Sequence, residues 1–151
     1  MSTNIYAPLS GKAIQLDEVN DPVFAKKMLG DGMAIIPESS VVCSPVNGKI
    51  TMLAETKHAI GLVTEEGVEI LIHIGIDTVT LKGTGFKSFV TDGDQVEVGT
   101  PLAEVDLATL KEHALDSTTM IIVTNSKEFT IDQRAEKGIV VNQTDQVFSV
   151  Y

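Results

Sequence analysis

The sequence predicts an all-β protein, an antiparallel β-sandwich or barrel-like sandwich carrying two short helices. Two observations point there. Glycine and proline recur at short intervals, from Pro8 and Gly11 through Gly48, Gly61, Gly75 and Gly85 to Gly99 and Pro101, and between them lie brief segments rich in Val, Ile and Leu. Many short apolar runs with regular turn chemistry fit an antiparallel sandwich better than alternating strand–helix units. A third observation concerns symmetry. Ala7-Pro8-Leu9-Ser10-Gly11-Lys12 echoes Ser44-Pro45-Val46-Asn47-Gly48-Lys49, each leading into an apolar-rich strand ending in Leu16 or Leu53. Two similar strand entries predict pseudo-symmetric halves.

In chain order the expected strands are 12–16, 33–36, 41–44, 48–54, 58–63, 68–74, 86–90, 95–98, 102–105, 120–124, 139–142 and 147–151, with the first strand of the domain beginning near Ile5. Asp21 can cap a first helix, with Pro22 at the first helical position, where a missing N–H is harmless, and Gly30 as the stop. Asp106 can cap a second, running through Leu107, Leu110 and Ala114. His113 on that helix, among Lys111, Glu112 and Asp116, reads as a surface residue. No long polar linker divides the chain, so residues 1–151 are expected to form one domain.

Composition narrows the function classes. Hydrophobic residues make up 43% and charged residues 21%, which argues against disorder. No apolar run reaches the roughly 20 residues that span a bilayer, and Met1-Ser2-Thr3-Asn4 has no signal-peptide character, so direct membrane insertion is not expected. Cys43 is alone, which fits a reducing cytoplasm and a small buried side chain. The net charge of -10 disfavours nucleic acid; it suits a basic patch on a protein partner and equally suits solubility alone.

The chemistry concentrates in Gly67 to Val79. Val68, Ile70, Ile72 and Ile74 alternate onto one strand face, and Glu69, Leu71 and His73 onto the other. An imidazole in an isoleucine run costs stability unless it is paired. The preceding strand starts at His58, and Thr64-Glu65-Glu66-Gly67 resembles a four-residue hairpin loop. With that loop Val63 faces Val68 and His58 faces His73, whereas a one-residue slip would separate the rings onto opposite faces. A hydrogen-bonded core pair, a zinc site and an acid/base couple all remain open on the residues alone. Zinc needs a third protein ligand, and the usual ligand spacings are missing; no native metal is expected, although His58 and His73 could bind zinc adventitiously.

The run Gly67 to Val79, with His73 followed by Gly75 and Asp77-Thr78-Val79, resembles the active-site signature of the glucose-type enzyme IIA of the bacterial phosphotransferase sugar-uptake system. The likeness extends to Ala7–Gly11, Asp21–Phe24, Gly30–Gly32, Pro45–Gly48, Thr56–Ala59, Leu81–Gly83 and Phe86–Lys87. The resemblance implies a β-sandwich of the duplicated-hybrid type. It also implies a cytoplasmic phosphoryl carrier without a cofactor, accepting phosphate from the phosphocarrier protein HPr on His73. The group then passes to a cysteine of the IIB domain of a sugar transporter. His58 matches the second active-site histidine, a phosphate stabiliser, and Thr56 the threonine that orients it. A backbone carbonyl near Gly75 is the expected acceptor for the His73 N–H. Val23, Phe24 and Leu71 form an expected apolar docking rim, with Asp21 and Asp77 as flanking acids that meet HPr arginines.

Two features depart from the family pattern. Lys127 precedes Glu128 where some members carry an acid, so neither is assigned a role. An N-terminal membrane-touching extension found in some members is not expected. Two alternatives remain: a non-catalytic regulatory module on the same sandwich, and a lipoyl- or biotin-carrier domain. The second is suggested by Asp92–Leu102, which resembles a carrier-domain hairpin but is built of general turn chemistry.

Overall fold

Short β-branched runs punctuated by turn residues fold almost entirely as strands. The computed structural model describes residues 2–132, 134, 135, 138–140 and 144–151. In chain order the elements are β1 (Thr3–Tyr6), β2 (Gly11–Gln15), α1 (Pro22–Ala25), β3 (Asp31–Pro37), β4 (Val41–Cys43), β5 (Gly48–Leu53), β6 (Ala59–Val63) and β7 (Glu69–Ile74). There follow β8 (Phe86–Ser88), β9 (Gln95–Val96), β10 (Pro101–Val105), α2 (Leu107–Glu112), β11 (Thr119–Val123), β12 (Ile131–Asp132), β13 (Gly138–Val140) and β14 (Gln146–Val150). Three short 3-10 turns complete the described structure.

Among the described residues, the strands form an eight-stranded sheet, β13-β2-β3-β11-β7-β6-β5-β9, and two three-stranded sheets, β1-β14-β12 and β4-β10-β8. The pairing is antiparallel throughout these sheets. The order is symmetric about the β11/β7 pair: β13 corresponds to β9, β2 to β5, β3 to β6, and the two small sheets to each other. The echoed entry segments lie against one another across this pseudo-two-fold. Tyr6 N donates to Pro45 O at 3.0 Å, and Cys43 N donates to Pro8 O at 2.6 Å, so the bond pattern survives exchange of the two halves.

The main core fills the space between the large sheet and the small ones, with Ile5, Met33, Ile60, Ile70, Ile72, Ile121 and Phe148 almost fully buried. A second, smaller cluster covers the opposite face of the large sheet: Ile14, Leu16, Val19, Phe24, Ala34, Ile76, Met120 and Ile122, with Leu71 packed against it. It exists because the 3-10 turn at Leu16–Glu18 and helix α1 fold back over that face. The alternation of β7 therefore points its isoleucines into one core and His73 toward the edge of the other.

Several expectations need correction. The β6–β7 loop holds five residues, because Val63 pairs with Glu69 and Ala59 with His73. Val68, 1% exposed, is drawn into the core, while its N–H is taken by Thr64 Oγ1 at 3.1 Å. The register is thus one residue away from the expected one. Asp92–Leu102 is not a hairpin: β9 pairs with β5, and β10 pairs with β4 and β8, so the segment is a corner between sheets.

Both helices are capped as expected, by Asp21 onto Val23 N and by Asp106 onto Ala108 N and Thr109 N. Both are shorter than expected. The first ends at Ala25, well before Gly30, and Lys27 turns left-handed at φ 58°. The second ends at Glu112, before the left-handed Ala114. His113 is exposed and Cys43 buried. The β12 strand was not foreseen, and the expected strand 139–142 is seen as β13, its last two positions lying outside the described residues.

Candidate functional site

His73 sits in the ladder of β7 between Ala59 of β6 and Met120 of β11. Its Nδ1 lies 2.8 Å from the carbonyl oxygen of Gly75, and a carbonyl can only accept, so Nδ1 carries the proton. That assignment leaves the lone pair on Nε2. Phe24 of α1 packs on one side of the ring, with centroids 4.9 Å apart and planes at 55°. The His58 ring stands nearly edge-on at the same centroid separation, 4.9 Å and 79°.

The rings meet despite the shifted register. His58 lies in the bend before β6, just after Lys57, whose φ of 63° is left-handed, so strand alternation does not govern its side chain. Its backbone still joins the sheet, for Ile74 N donates to His58 O at 2.7 Å. The Thr56 hydroxyl lies 2.5 Å from His58 Nδ1. All three expected side chains, Thr56, His58 and His73, are therefore linked in one row.

Burial lowers the pKa of His58, and the neighbouring His73 lowers it further. Burial also lowers that of His73, against the opposing pull of the Gly75 carbonyl and the charges of Asp21 and Asp77. Both imidazoles are thus biased toward the neutral form, which keeps a nucleophilic nitrogen available at neutral pH.

The rim differs from expectation in one respect. Val23 is exposed and Leu71 half-buried, but Phe24 is only 5% exposed and acts as a wall for His73. Asp77 is exposed in a left-handed conformation, and Asp21 is half-buried, its Oδ1 occupied by Val23 N. Met28, Leu29, Met52 and Val79 are exposed apolar residues to which the sequence assigns no role. Met52 belongs to a shallow apolar depression lined also by Gly61, Leu71 and Thr124. Ladder pairing brings Met52, Gly61 and Leu71 into one row, and that long-range pairing leaves no mark in local sequence. No group of three or more His, Cys, Asp or Glu among the described residues is arranged to hold a metal ion. No helix among them is long and apolar enough to cross a membrane.

Fold and site together define a β-sandwich protein with two adjacent, neutral-biased histidines, and comparison identifies its family. The chain belongs to the family described as phosphoenolpyruvate-dependent sugar phosphotransferase system, EIIA 1, whose model matches residues 3–129. By that description it is an EIIA component of a sugar phosphotransferase system. It is 47% identical over 145 residues, 91% of this chain, to the PTS system glucoside-specific EIICBA component of Staphylococcus carnosus (strain TM300). The match spans 21% of that relative's length. Among solved structures it is similar to the glucose permease IIA from Mycoplasma capricolum, with TM-score 0.88 and 42% identity, covering 99% of this chain and 96% of that one.

Proposed function

We propose that His73 is the phosphoryl-carrying residue, accepting the group from phospho-HPr and passing it to the cysteine of a permease IIB domain. The observation that carries this reading is the hydrogen bond from His73 Nδ1 to Gly75 O, which leaves the Nε2 lone pair free to attack phosphorus. In the acceptance step Nε2 forms the new N–P bond as the phosphorus leaves its donor nitrogen. In the donation step a IIB thiolate attacks phosphorus, the Nε2–P bond breaks, and His73 returns neutral.

His58 is the stabiliser. With the Thr56 hydroxyl donating to its Nδ1, the proton of His58 sits on Nε2 and can bond a phosphoryl oxygen. Thr56 orients that ring. Val23 and Leu71, together with the apolar residues around them, supply the docking surface. Phe24 backs the His73 ring, and Asp21 and Asp77 attract basic residues of HPr. The protein acts at the cytoplasmic side of a sugar permease, and residues 1–151 function as one EIIA unit. The staphylococcal relative is named an EIICBA component, which supports a permease as the onward partner.

The test is incubation with phosphoenolpyruvate, enzyme I and HPr. Wild-type protein is expected to take up one phosphoryl group on histidine, and His73→Ala none while remaining folded. Uptake by the His73→Ala variant would refute the assignment. A folded wild-type protein that takes no label would favour the non-catalytic regulatory module.

A further inference from the structure

We propose that Thr78 is a positioning residue for His73: its buried side chain holds the Ile74–Gly75 peptide so that the Gly75 carbonyl faces the imidazole. The inference rests on the reading of His73 as carrier, but its geometry stands apart from any partner. Thr78 is fully buried, a position where a hydroxyl is costly unless used. Its Oγ1 donates to Ile74 O at 2.6 Å. Its methyl lies under Gly75, where any Cβ would overlap Thr78 Cγ2. One side chain thus fixes the peptide just before the Gly75 carbonyl by two different contacts.

The neighbouring backbone makes that peptide a junction. The N–H of Ile74 binds the carbonyl of His58 at 2.7 Å, and its carbonyl binds Thr78, so one residue ties the second histidine to this threonine. Gly75 N donates to Thr118 O at 3.0 Å, and Gly75 itself is at φ 79°. Asp77, at φ 59°, reverses the chain and brings Thr78 back beneath the strand end. Without the hydroxyl, the Ile74 carbonyl would be buried without this donor, and rotation of the adjoining peptide would turn the Gly75 oxygen away from Nδ1. The proton could then settle on Nε2, the nitrogen that must be free to attack.

The experiment compares wild type, Thr78→Val and Thr78→Ser. Val keeps the methyl without the hydroxyl, and Ser keeps the hydroxyl without the methyl. Nitrogen-15 shifts of His73 report which nitrogen is protonated, a property that loss of stability alone would not change. In wild type and Thr78→Ser the Nδ1–H tautomer should dominate. In Thr78→Val the Nε2–H fraction should rise several-fold and the rate of uptake from phospho-HPr should fall by up to about a hundredfold, the scale expected for a misplaced reacting group. A wild-type tautomer in folded Thr78→Val, or equal defects in Val and Ser, would overturn the proposal. Should Thr78→Val not fold, Thr78→Ala takes its place: a tautomer shift in Ala that is absent from Ser supports the role, and no shift overturns it. If the tautomer moves as expected but wild type never accepts phosphate, the carrier reading fails while the positioning role holds.

Discussion

At the scale of single residues, the site works by deciding where two protons rest. Gly75 O fixes one on Nδ1 of His73, and Thr56 is placed to fix the other on Nε2 of His58. In His58→Gln an amide N–H still offers a donor, so acceptance on His73 should persist. The amide has more rotational freedom than the pinned ring, so transfer onward to IIB should slow by about tenfold or more. Separate single-turnover measurements of acceptance and donation check this. The lowered pKa of both imidazoles also links stability to pH. The unfolded chain binds protons near the ordinary value of 6.5 and the folded chain only below it, so between those limits the unfolded state holds more protons. Stability attributable to this pair should therefore decrease as pH drops below 6.5 and level off above it. Melting curves at about pH 7.5 and about pH 5.5 should show a smaller acid loss in a His58→Gln/His73→Gln double variant than in wild type.

At the scale of elements, β7 divides its labour between faces. Ile72 is fully buried in the main core, whereas His73 faces the smaller cluster, so core damage and chemical damage are separable. Ile72→Ala should cost about 2–5 kcal/mol of stability. While folded, it should retain the His73 tautomer, which denaturant unfolding and nitrogen-15 spectra can check together. The alternation of β7 is legible because Val68, Ile70, Ile72 and Ile74 repeat with period two around the histidine. The register is not. It depends on the Thr64 hydroxyl catching the Val68 N–H, a contact that does not follow from the local pattern. His58 lies beside His73 only because the bend at Lys57 compensates for that slip. The helix ends are illegible for a similar reason, since Lys27 and Ala114 adopt left-handed turns at residue types that give no warning of them.

Across the whole molecule, the pseudo-two-fold explains why a short chain can make so broad a sheet. Each half supplies four of its strands and one small sheet, and the halves meet at β11/β7, where His73 lies. The echo of Ala7–Lys12 in Ser44–Lys49 made the symmetry legible in the sequence. The exchange of strands between sheets at Asp92–Leu102 was not legible, because its turn residues would serve a hairpin equally well. The net charge of -10 belongs to this scale too, because it sets the field a partner meets. Asp77 is exposed close enough to bias His73, so Asp77→Asn should slow association with HPr and flatten its dependence on ionic strength. Stopped-flow rates over a salt series would reveal this, and an unchanged slope would remove Asp77 from the docking face.

The most direct measurement of the central claim is nuclear magnetic resonance of the protein after phosphorylation through phospho-HPr, locating the new N–P bond. The account predicts a single phosphoryl group on Nε2 of His73, with Nδ1 still protonated toward Gly75. Phosphate on Nδ1 of His73, on His58 or on His113 would contradict it.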